Sequence, residues 1–329
     1  MIAVCGAGSW GTALALTLAR NTKQQVWIWG REAEVLTEIS KHHSNSKYLP
    51  GIKLPSNLVI CDNIRDLLQH ATDILIAVPS KAFCEVLVLL KPHLTVKHRI
   101  IWATKGLEPE RGRFLHRVVI ESLGDRQSYA ILSGPSFAKE VAQHLPTAVT
   151  IATRDDRFAQ DLLTYFHSDT FRVYLSTDVI GVQVGGVFKN ILAVAAGLSD
   201  GLGFGANARA AIITRGIAEM MRFGIALGAK AETLQGLAGV GDIILTCTDN
   251  QSRNRRFGMA LAHGKSIDAA QAEIGQVVES VSNAGEICRI AAEHLIEMPI
   301  AEQVYKILTQ QITPKQAVNN LISRKPANE

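Results

Sequence analysis

The sequence is short of pairable cysteines, of net charge and of low-complexity segments, and each shortage removes a class of protein. Its five cysteines, Cys5, Cys61, Cys84, Cys247 and Cys288, are odd in number and widely scattered, with no C-x-x-C and no metal-ligand spacing. That argues against a disulfide-stapled scaffold and a bound metal, and for free thiols in a reducing cytoplasm. The formal net charge is only +4, and no dense basic stretch appears. Nucleic acid is therefore not an expected partner, although a mild positive balance suits a site that holds anions. No run reads as both long and apolar enough to span a bilayer. Residues 2–19 are apolar, but no basic stretch precedes them and three glycines interrupt them, so they do not read as a secretory leader. The expectation is a cytoplasmic protein with no membrane insertion.

What is present begins with 329 residues, 47% of them hydrophobic and 19% charged, which suits two globular domains better than one. The most informative stretch is Gly6-Ala7-Gly8-Ser9-Trp10-Gly11. An apolar strand-like run, Ile2–Cys5, precedes it, and Ala13, Leu14, Leu16 and Leu18 follow at helical spacing. A strand, a tight glycine turn and a helix start are what a dinucleotide pyrophosphate requires. Gly6 permits the turn, Gly8 admits the phosphates to the backbone, and Gly11 lets helix and strand pack closely. The free N–H groups of the helix start then face the anion.

Strand-like and helix-like segments go on alternating through the first half. Strands are expected at 25–29, 58–60, 73–78, 99–103 and 129–132, with helices at 32–41, 64–71, 82–90 and 114–123 between them. Apolar strands separated by helices indicate a doubly wound (Rossmann) parallel sheet. Two more strand candidates, 148–152 and 171–175, would extend it at an edge. Beyond about residue 185 the strand pattern stops. Helical periodicity runs through 187–198, 208–227, 282–295, 301–308 and 317–322. The expected architecture is α/β, with a dinucleotide-binding domain at 1–185 followed by an all-helical substrate-binding and catalytic domain at 186–329. Gly185-Gly186 is expected to form the joint. The apolar helices of the second half favour a homodimer.

Several polar groups stand at positions where chemistry could occur. Pro79-Ser80, Lys105-Gly106 and Ser133-Gly134-Pro135-Ser136 close three expected strands at their carboxyl ends, where ligands gather in such sheets. After the second strand comes Trp29-Gly30-Arg31-Glu32. Arg31 could accommodate a 2′-phosphate, and Glu32 could serve the ribose of NAD or merely start a helix, so NADPH is favoured with NADH allowed. Lys189 lies in the otherwise almost wholly apolar Gly185–Ala195. It either has a partner and an acid/base task or snorkels to solvent. Asn190 beside it can donate or accept hydrogen bonds. Asp242 follows a glycine-rich turn and either aims Lys189 or, as spacing alone favours, caps the next helix. Ser252-Arg253-Asn254-Arg255-Arg256 is an anion-binding candidate or a solvated loop. His42 and His43 have no metal partner and read as surface residues.

Taken together, Gly6–Ala13, Val78–Ser80, Trp102–Glu108, Ser133–Glu140, Gly185–Asn190, Gly203–Ala211, Ala238–Thr248, Ser252–Gly258 and Gly275–Ser280 resemble, in the same order, the motifs of the bacterial NAD(P)-dependent glycerol-3-phosphate dehydrogenases. The resemblance runs over nearly the whole chain. It implies hydride transfer between NAD(P)H and dihydroxyacetone phosphate to give sn-glycerol 3-phosphate for phospholipid synthesis. Lys189 then matches the proton donor and acceptor, with Asp242 and Lys105 as its partners in the site. Substrate contacts match Lys105, Gly134, Ser136, Lys189, Asp242, Ser252, Arg253 and Asn254, and similarity to related eukaryotic enzymes adds Asn190 and Thr246. Cofactor contacts match Gly6, Gly8, Ser9, Trp10, Gly11, Arg31, Lys105, Ala138, Arg253, Val277 and Glu279. Two rivals stand beside this reading. One is a related dehydrogenase acting on another hydroxy acid or sugar acid. The other is a nicotinamide-sensing protein without turnover.

Overall fold

The structure is a computed structural model, and it describes residues 1–109, 111–275 and 278–324. The chain divides into two compact units, Met1–Glu108 with Arg113–Gln183, and Pro109–Gly112 with Val184–Glu329.

The first unit holds strands β1 (Ile2–Cys5), β2 (Val26–Trp29), β3 (Ser44–Asn45), β4 (Leu49–Lys53), β5 (Leu58–Ile60), β6 (Asp73–Ile76), β7 (Arg99–Trp102), β8 (Tyr129–Ser133), β9 (Thr147–Thr153) and β10 (Phe171–Ser176). Its helices are α1 (Ser9–Asn21), α2 (Ala33–His42), α3 (Ile64–His70), α4 (Ser80–Leu90), α5 (Leu115–Leu123), α6 (Ala138–Ala142) and α7 (Asp156–Phe166). Eight of these strands form one sheet in the order β10-β9-β8-β7-β6-β1-β2-β5. Apart from Asp73 and Arg99 at their starts, strands β1, β6 and β7 are apolar because both faces of the sheet are covered.

The order reverses between β1 and β6, which places the switch point of the sheet there. Chain ends meet closely at that point. A Cβ on Gly6, whose φ is +128°, would stand 2.5 Å from the Ala77 carbonyl oxygen. The opposite, amino-terminal edge is held by charge. Buried Asp73 takes Nε and Nη2 of Arg99 at 2.6 and 2.8 Å, and Tyr165 donates to it at 3.0 Å. A forked ion pair whose lone pairs are also used by a hydroxyl is the form in which a buried charge is tolerated.

Two details depart from the sequence-based expectation. The added strands are not all parallel. β9 runs antiparallel to β8, with Leu132 opposite Ile151, while β10 returns parallel to β9. The chain between β8 and β9 carries only the five-residue α6, so no full crossover returns it to the starting edge. A short antiparallel hairpin, β3–β4, occupies a polar stretch read as loop.

The second unit is built, among the described residues, from helices and one π-helical turn, Leu237–Gly241. Its helices are α8 (Val179–Gly201), which enters from the first unit, α9 (Gly205–Ala226), α10 (Ala231–Gln235), α11 (Asp242–Thr248), α12 (Arg253–Ala262), α13 (Ile267–Ile274), α14 (Ser280–Glu293), α15 (Pro299–Leu308) and α16 (Pro314–Ile322). Contrary to the sequence reading, α8 is long and apolar enough to cross a membrane by length and composition, but 89% of its apolar stretch is buried by the rest of the protein. Gly185-Gly186 lie inside continuous α8, just past the division of the chain at Gln183 and Val184. The missing side chain permits contact. A Cβ on Gly185 would stand 2.1 Å from the Ala238 carbonyl oxygen. Farther along α8, a Cβ on Gly197 would stand 2.0 Å from the Arg255 carbonyl oxygen, and one on Gly258 would stand 2.3 Å from that of Val194. Glycine thus brings α8 against the π-turn and against α12, backbone to backbone.

Candidate active site

In the first unit the predicted residues gather at the carboxyl edge of the sheet. Gly8 precedes α1 in extended conformation, and no side chain caps that helix start. The amide groups of the first turn are therefore open to an anion. A Cβ on Gly8 would meet nothing within 4 Å, whereas one on Gly11 would lie 1.9 Å from the Gly6 carbonyl oxygen. Gly11 is a packing glycine and Gly8 leaves space, which is the division of labour a pyrophosphate needs. Ser9 opens α1, and Trp10 packs partly buried against the sheet core with its indole N–H buried and unbonded. These residues fit a dinucleotide.

The turn is held from behind by two residues that motif reading missed. Thr12, fully buried, donates to the Ala7 carbonyl at 3.2 Å. Asn45 of β3, also fully buried, donates to the same carbonyl and to Thr12 Oγ1, both at 2.9 Å. Nothing in the polar stretch around Asn45 marks it as buried.

Along the same edge, Lys105 Nζ donates to the Gly134 carbonyl at 2.9 Å, and Ser136 Oγ donates to that oxygen at 2.9 Å. Gly134 has φ +142°, and a Cβ there would press on Val149 Cα at 3.0 Å. One carbonyl thus joins three predicted residues. Ala138 begins α6 and packs against the sheet core. Arg31 is exposed and paired with Glu85 of α4 at 2.5 Å. Glu32 stands before α2 without capping it, its carboxylate taken by Lys47 and Tyr48.

In the second unit Lys189 and Asp242 are brought together. Nζ lies 3.0 Å from Asp242 Oδ1, and the carboxylate is fully buried. Asp242 opens α11 directly after the π-turn, so its side chain points to the amine and not to a helix-capping role. The spacing-favoured alternative, a simple cap, is corrected by this geometry. Gly185 and Lys189 are four residues apart on α8, hence on one face. The close approach at Gly185 is what carries the π-turn, and Asp242 with it, under the lysine. Thr246, one turn on, donates to the Asp242 carbonyl at 2.6 Å and to Oδ1 at 3.2 Å.

A second chain of contacts starts from the neighbouring residue. Asn254 donates to Asn190 Oδ1 at 2.9 Å, and Asn190 donates to Glu279 Oε2 at 3.4 Å. Asn254 Oδ1 is buried without a partner. Ser252 caps α12, accepting from the Arg255 amide at 3.2 Å. Exposed Arg253 is the first residue of that helix. The arginine cluster is divided. Arg255 is turned inward, pairing with Asp200 at 2.5 Å and with Asn250, while Arg209 holds Asp200 from α9 at 2.9 Å. Arg255 therefore locks α12 to α8, while Arg253 and Arg256 face outward. Val277, a predicted cofactor contact, lies outside the described residues. Cys247, buried beside Lys189 and Asp242, has its thiol pushed up to about 12 by burial, so it is not a thiolate at neutral pH.

Residues 1–159 match the family model for the N-terminus of NAD-dependent glycerol-3-phosphate dehydrogenase, and residues 178–319 match the model for its C-terminus. The chain belongs to the NAD-dependent glycerol-3-phosphate dehydrogenase family. It is 52% identical over 329 residues to the glycerol-3-phosphate dehydrogenase [NAD(P)+] of Haemophilus ducreyi, covering 100% of this chain and 98% of that one. The Vibrio cholerae protein of the same name is 51% identical, covering 98% and 93% of the two chains. Among solved structures, the glycerol-3-phosphate dehydrogenase of Coxiella burnetii matches with a TM-score of 0.94 at 50% identity, covering 98% of both chains. The α/β fold, with its parallel-dominated sheet followed by helices, is that of the family.

Proposed function

We propose that this chain is an NAD(P)-dependent sn-glycerol-3-phosphate dehydrogenase that interconverts dihydroxyacetone phosphate and sn-glycerol 3-phosphate. The observation that carries the reading is Lys189. It lies in a largely apolar, buried stretch of α8, its Nζ set 3.0 Å from a fully buried carboxylate. Burying such a pair is costly, and a chain that keeps one has a use for it.

The first unit is read as the dinucleotide-binding domain and the second as the substrate and catalytic domain. When bound, NAD(P)H supplies a hydride to the ketone carbon. Negative charge then gathers on the carbonyl oxygen. Lys189 stabilises that charge and delivers a proton from Nζ, so that hydride and proton together convert the ketone to the secondary alcohol. In the reverse direction the neutral amine takes the hydroxyl proton. Asp242 keeps the amine aimed, and Thr246 fixes the carboxylate. Arg253 receives the substrate phosphate, with Asn254 and Asn190 orienting it. Binding that remote group serves to position the reacting carbon. The resemblance also assigns Lys105, Gly134 and Ser136 to the substrate, and Glu279 to the cofactor.

Oxidation of NADPH by the purified protein, followed with dihydroxyacetone phosphate and with an unphosphorylated keto acid, tests this. Turnover is expected with the phosphorylated ketone only. Turnover of the keto acid alone would transfer the reading to the related hydroxy-acid dehydrogenases, and no turnover of either would leave a binding protein. A homodimer agrees with the exposed Phe204, Ile225 and Ile244 of the helical unit. Light scattering at twice the 35.7 kDa chain mass is the check. A cytoplasmic location agrees with five free thiols.

A further inference from the structure

The end of β2 carries more charge than Arg31 alone, and that charge is arranged. Glu32 is the acidic residue nearest the end of β2, from which the ribose hydroxyls of NAD could be engaged. Here Oε2 takes the ammonium of Lys47 and Oε1 takes the hydroxyl of Tyr48. These bonds hold its carboxyl below the usual carboxylate range. Lys47 is further steadied over the Tyr48 ring, 5.2 Å from its centroid.

The segment that presents these two residues is bolted in place on both sides. Asn45 ties it to the glycine turn through the Ala7 carbonyl and Thr12, and its own Oδ1 accepts the Tyr48 amide at 3.3 Å. Glu38 of α2 accepts from Ser44 Oγ at 2.7 Å, from the Ser46 amide at 2.8 Å and from Ser46 Oγ at 2.9 Å. Gly30 brings the end of β2 onto the same turn, since a Cβ there would stand 2.9 Å from Ala7 Cβ. One buried asparagine thus fixes both the pyrophosphate turn and the clasp on Glu32. Arg31 is held separately by Glu85 of α4.

We propose that the clasp of Lys47 and Tyr48 on Glu32 sets the choice between NADPH and NADH. A 2′-phosphate brings roughly 1.5 to 2 negative charges, as any phosphomonoester does near neutral pH. An unshielded Glu32 carboxylate would repel it and would instead accept the two hydroxyls of an unphosphorylated ribose. Clasped, Glu32 is neutralised and both of its oxygens are engaged, and Arg31 can exchange Glu85 for the incoming phosphate. The clasp therefore favours NADPH while leaving NADH admissible. Lys47, Tyr48 and Glu85 are specificity-determining residues, and the clasp acts through Glu32.

This inference rests on the reading that NAD(P)H binds at the glycine turn. Its test is equilibrium binding, read from nicotinamide fluorescence of NADPH and of NADH on the full chain without substrate. Lys47→Met is expected to weaken NADPH about tenfold and NADH less than threefold, the excess being repulsion by the unshielded carboxylate. Tyr48→Phe should move the ratio in the same direction by a smaller factor. Adding Glu32→Gln to Lys47→Met should return NADPH affinity to within about threefold of the parent, because the repelling charge is gone. If Lys47→Met leaves the NADPH/NADH ratio within twofold, the proposal is overturned. It is equally overturned if Glu32→Gln fails to rescue, because Lys47 would then act as a direct phosphate ligand. If neither nucleotide binds the parent protein, the underlying reading fails with it. An unchanged ratio with both nucleotides bound overturns the clasp alone.

Discussion

Alanine at Gly8 and alanine at Gly11 should damage the protein in opposite ways. At Gly8 the backbone has φ −74° and ψ −177°, a conformation alanine adopts without strain, and the added methyl meets nothing within 4 Å. Folding stability should stay level or rise by about 0.4–1 kcal/mol as the unfolded chain loses freedom. The methyl does, however, occupy the space through which phosphate reaches the helix-start amides. Losing one hydrogen bond to a charged group costs about 1.5–3 kcal/mol, which is roughly 10- to 100-fold in affinity for NADPH. At Gly11 the same methyl would stand 1.9 Å from the Gly6 oxygen, 2.9 Å from the Gly6 carbonyl carbon and 3.3 Å from Ala77 Cβ. Two of those three atoms are backbone and cannot rotate away, so α1 must move off β1. Overpacking of that kind costs about 3 kcal/mol or more, or roughly 6–12 °C in melting temperature for a unit of this size. Thermal melts and nicotinamide fluorescence titrations on the two variants separate the effects. Gly8→Ala binding NADPH within twofold of the parent would refute the reasoning about the cradle. Gly11→Ala melting within a degree of the parent would refute the reasoning about packing.

Other perturbations have equally definite outcomes. Lys189→Ala should leave NADPH binding nearly intact and remove most turnover of dihydroxyacetone phosphate, and a near-parental rate would remove Lys189 from the mechanism. Asp242→Ala leaves the amine without its buried counter-charge, so a loss of about 3–5 kcal/mol in urea unfolding is expected along with the loss of turnover. Arg253→Ala should act mainly on the KM for the phosphorylated substrate, and an unchanged KM would argue against its phosphate role. Glu219, 2% exposed, accepts the amides of Ile300 and Ala301 at the start of α15, and burial pushes its carboxyl up to about 7. The fold therefore binds this proton more tightly than the unfolded chain does. The resulting stability, on the order of 3 kcal/mol, is fully present below about pH 4.5 and is lost as pH rises through 7. The stability of the parent relative to Glu219→Gln, measured by urea unfolding, should fall between pH 5 and pH 8, and an unchanged difference would refute the assignment.

The parts of the molecule legible in the sequence are those governed by local rules. The glycine turn is one, because strand, turn and helix must all occur within a dozen residues. The inner strands are another, because burial on both faces makes them apolar beyond Asp73 and Arg99 at their starts. Lys189 stood out because a charge interrupts an apolar helix. What stayed hidden depends on partners distant in sequence. Gly185 reads as part of a glycine joint, and nothing local reveals the Ala238 carbonyl packed against it. Asp242 follows a turn as a capping residue would, and only the π-turn docking reveals its lysine. Arg253 and Arg255 are indistinguishable in composition, yet Asp200 claims one of them. Asn45 sits in an unremarkable polar stretch. The antiparallel β9 could not be read because alternation and apolarity do not record strand direction.

The burial of α8 also has a temporal side. The helix is as apolar as a membrane span, with mean hydropathy 1.7 over its apolar stretch, and part of its shelter comes from α12, which ends at Ala262. A ribosome adding about 5–20 residues per second needs roughly 3–12 s to proceed from the end of α8 to the end of α12. During that interval the nascent helix lacks the cover that its glycines were shaped to receive. The chain's greatest exposure to aggregation should therefore come after α8 is made and before Ala262 is added.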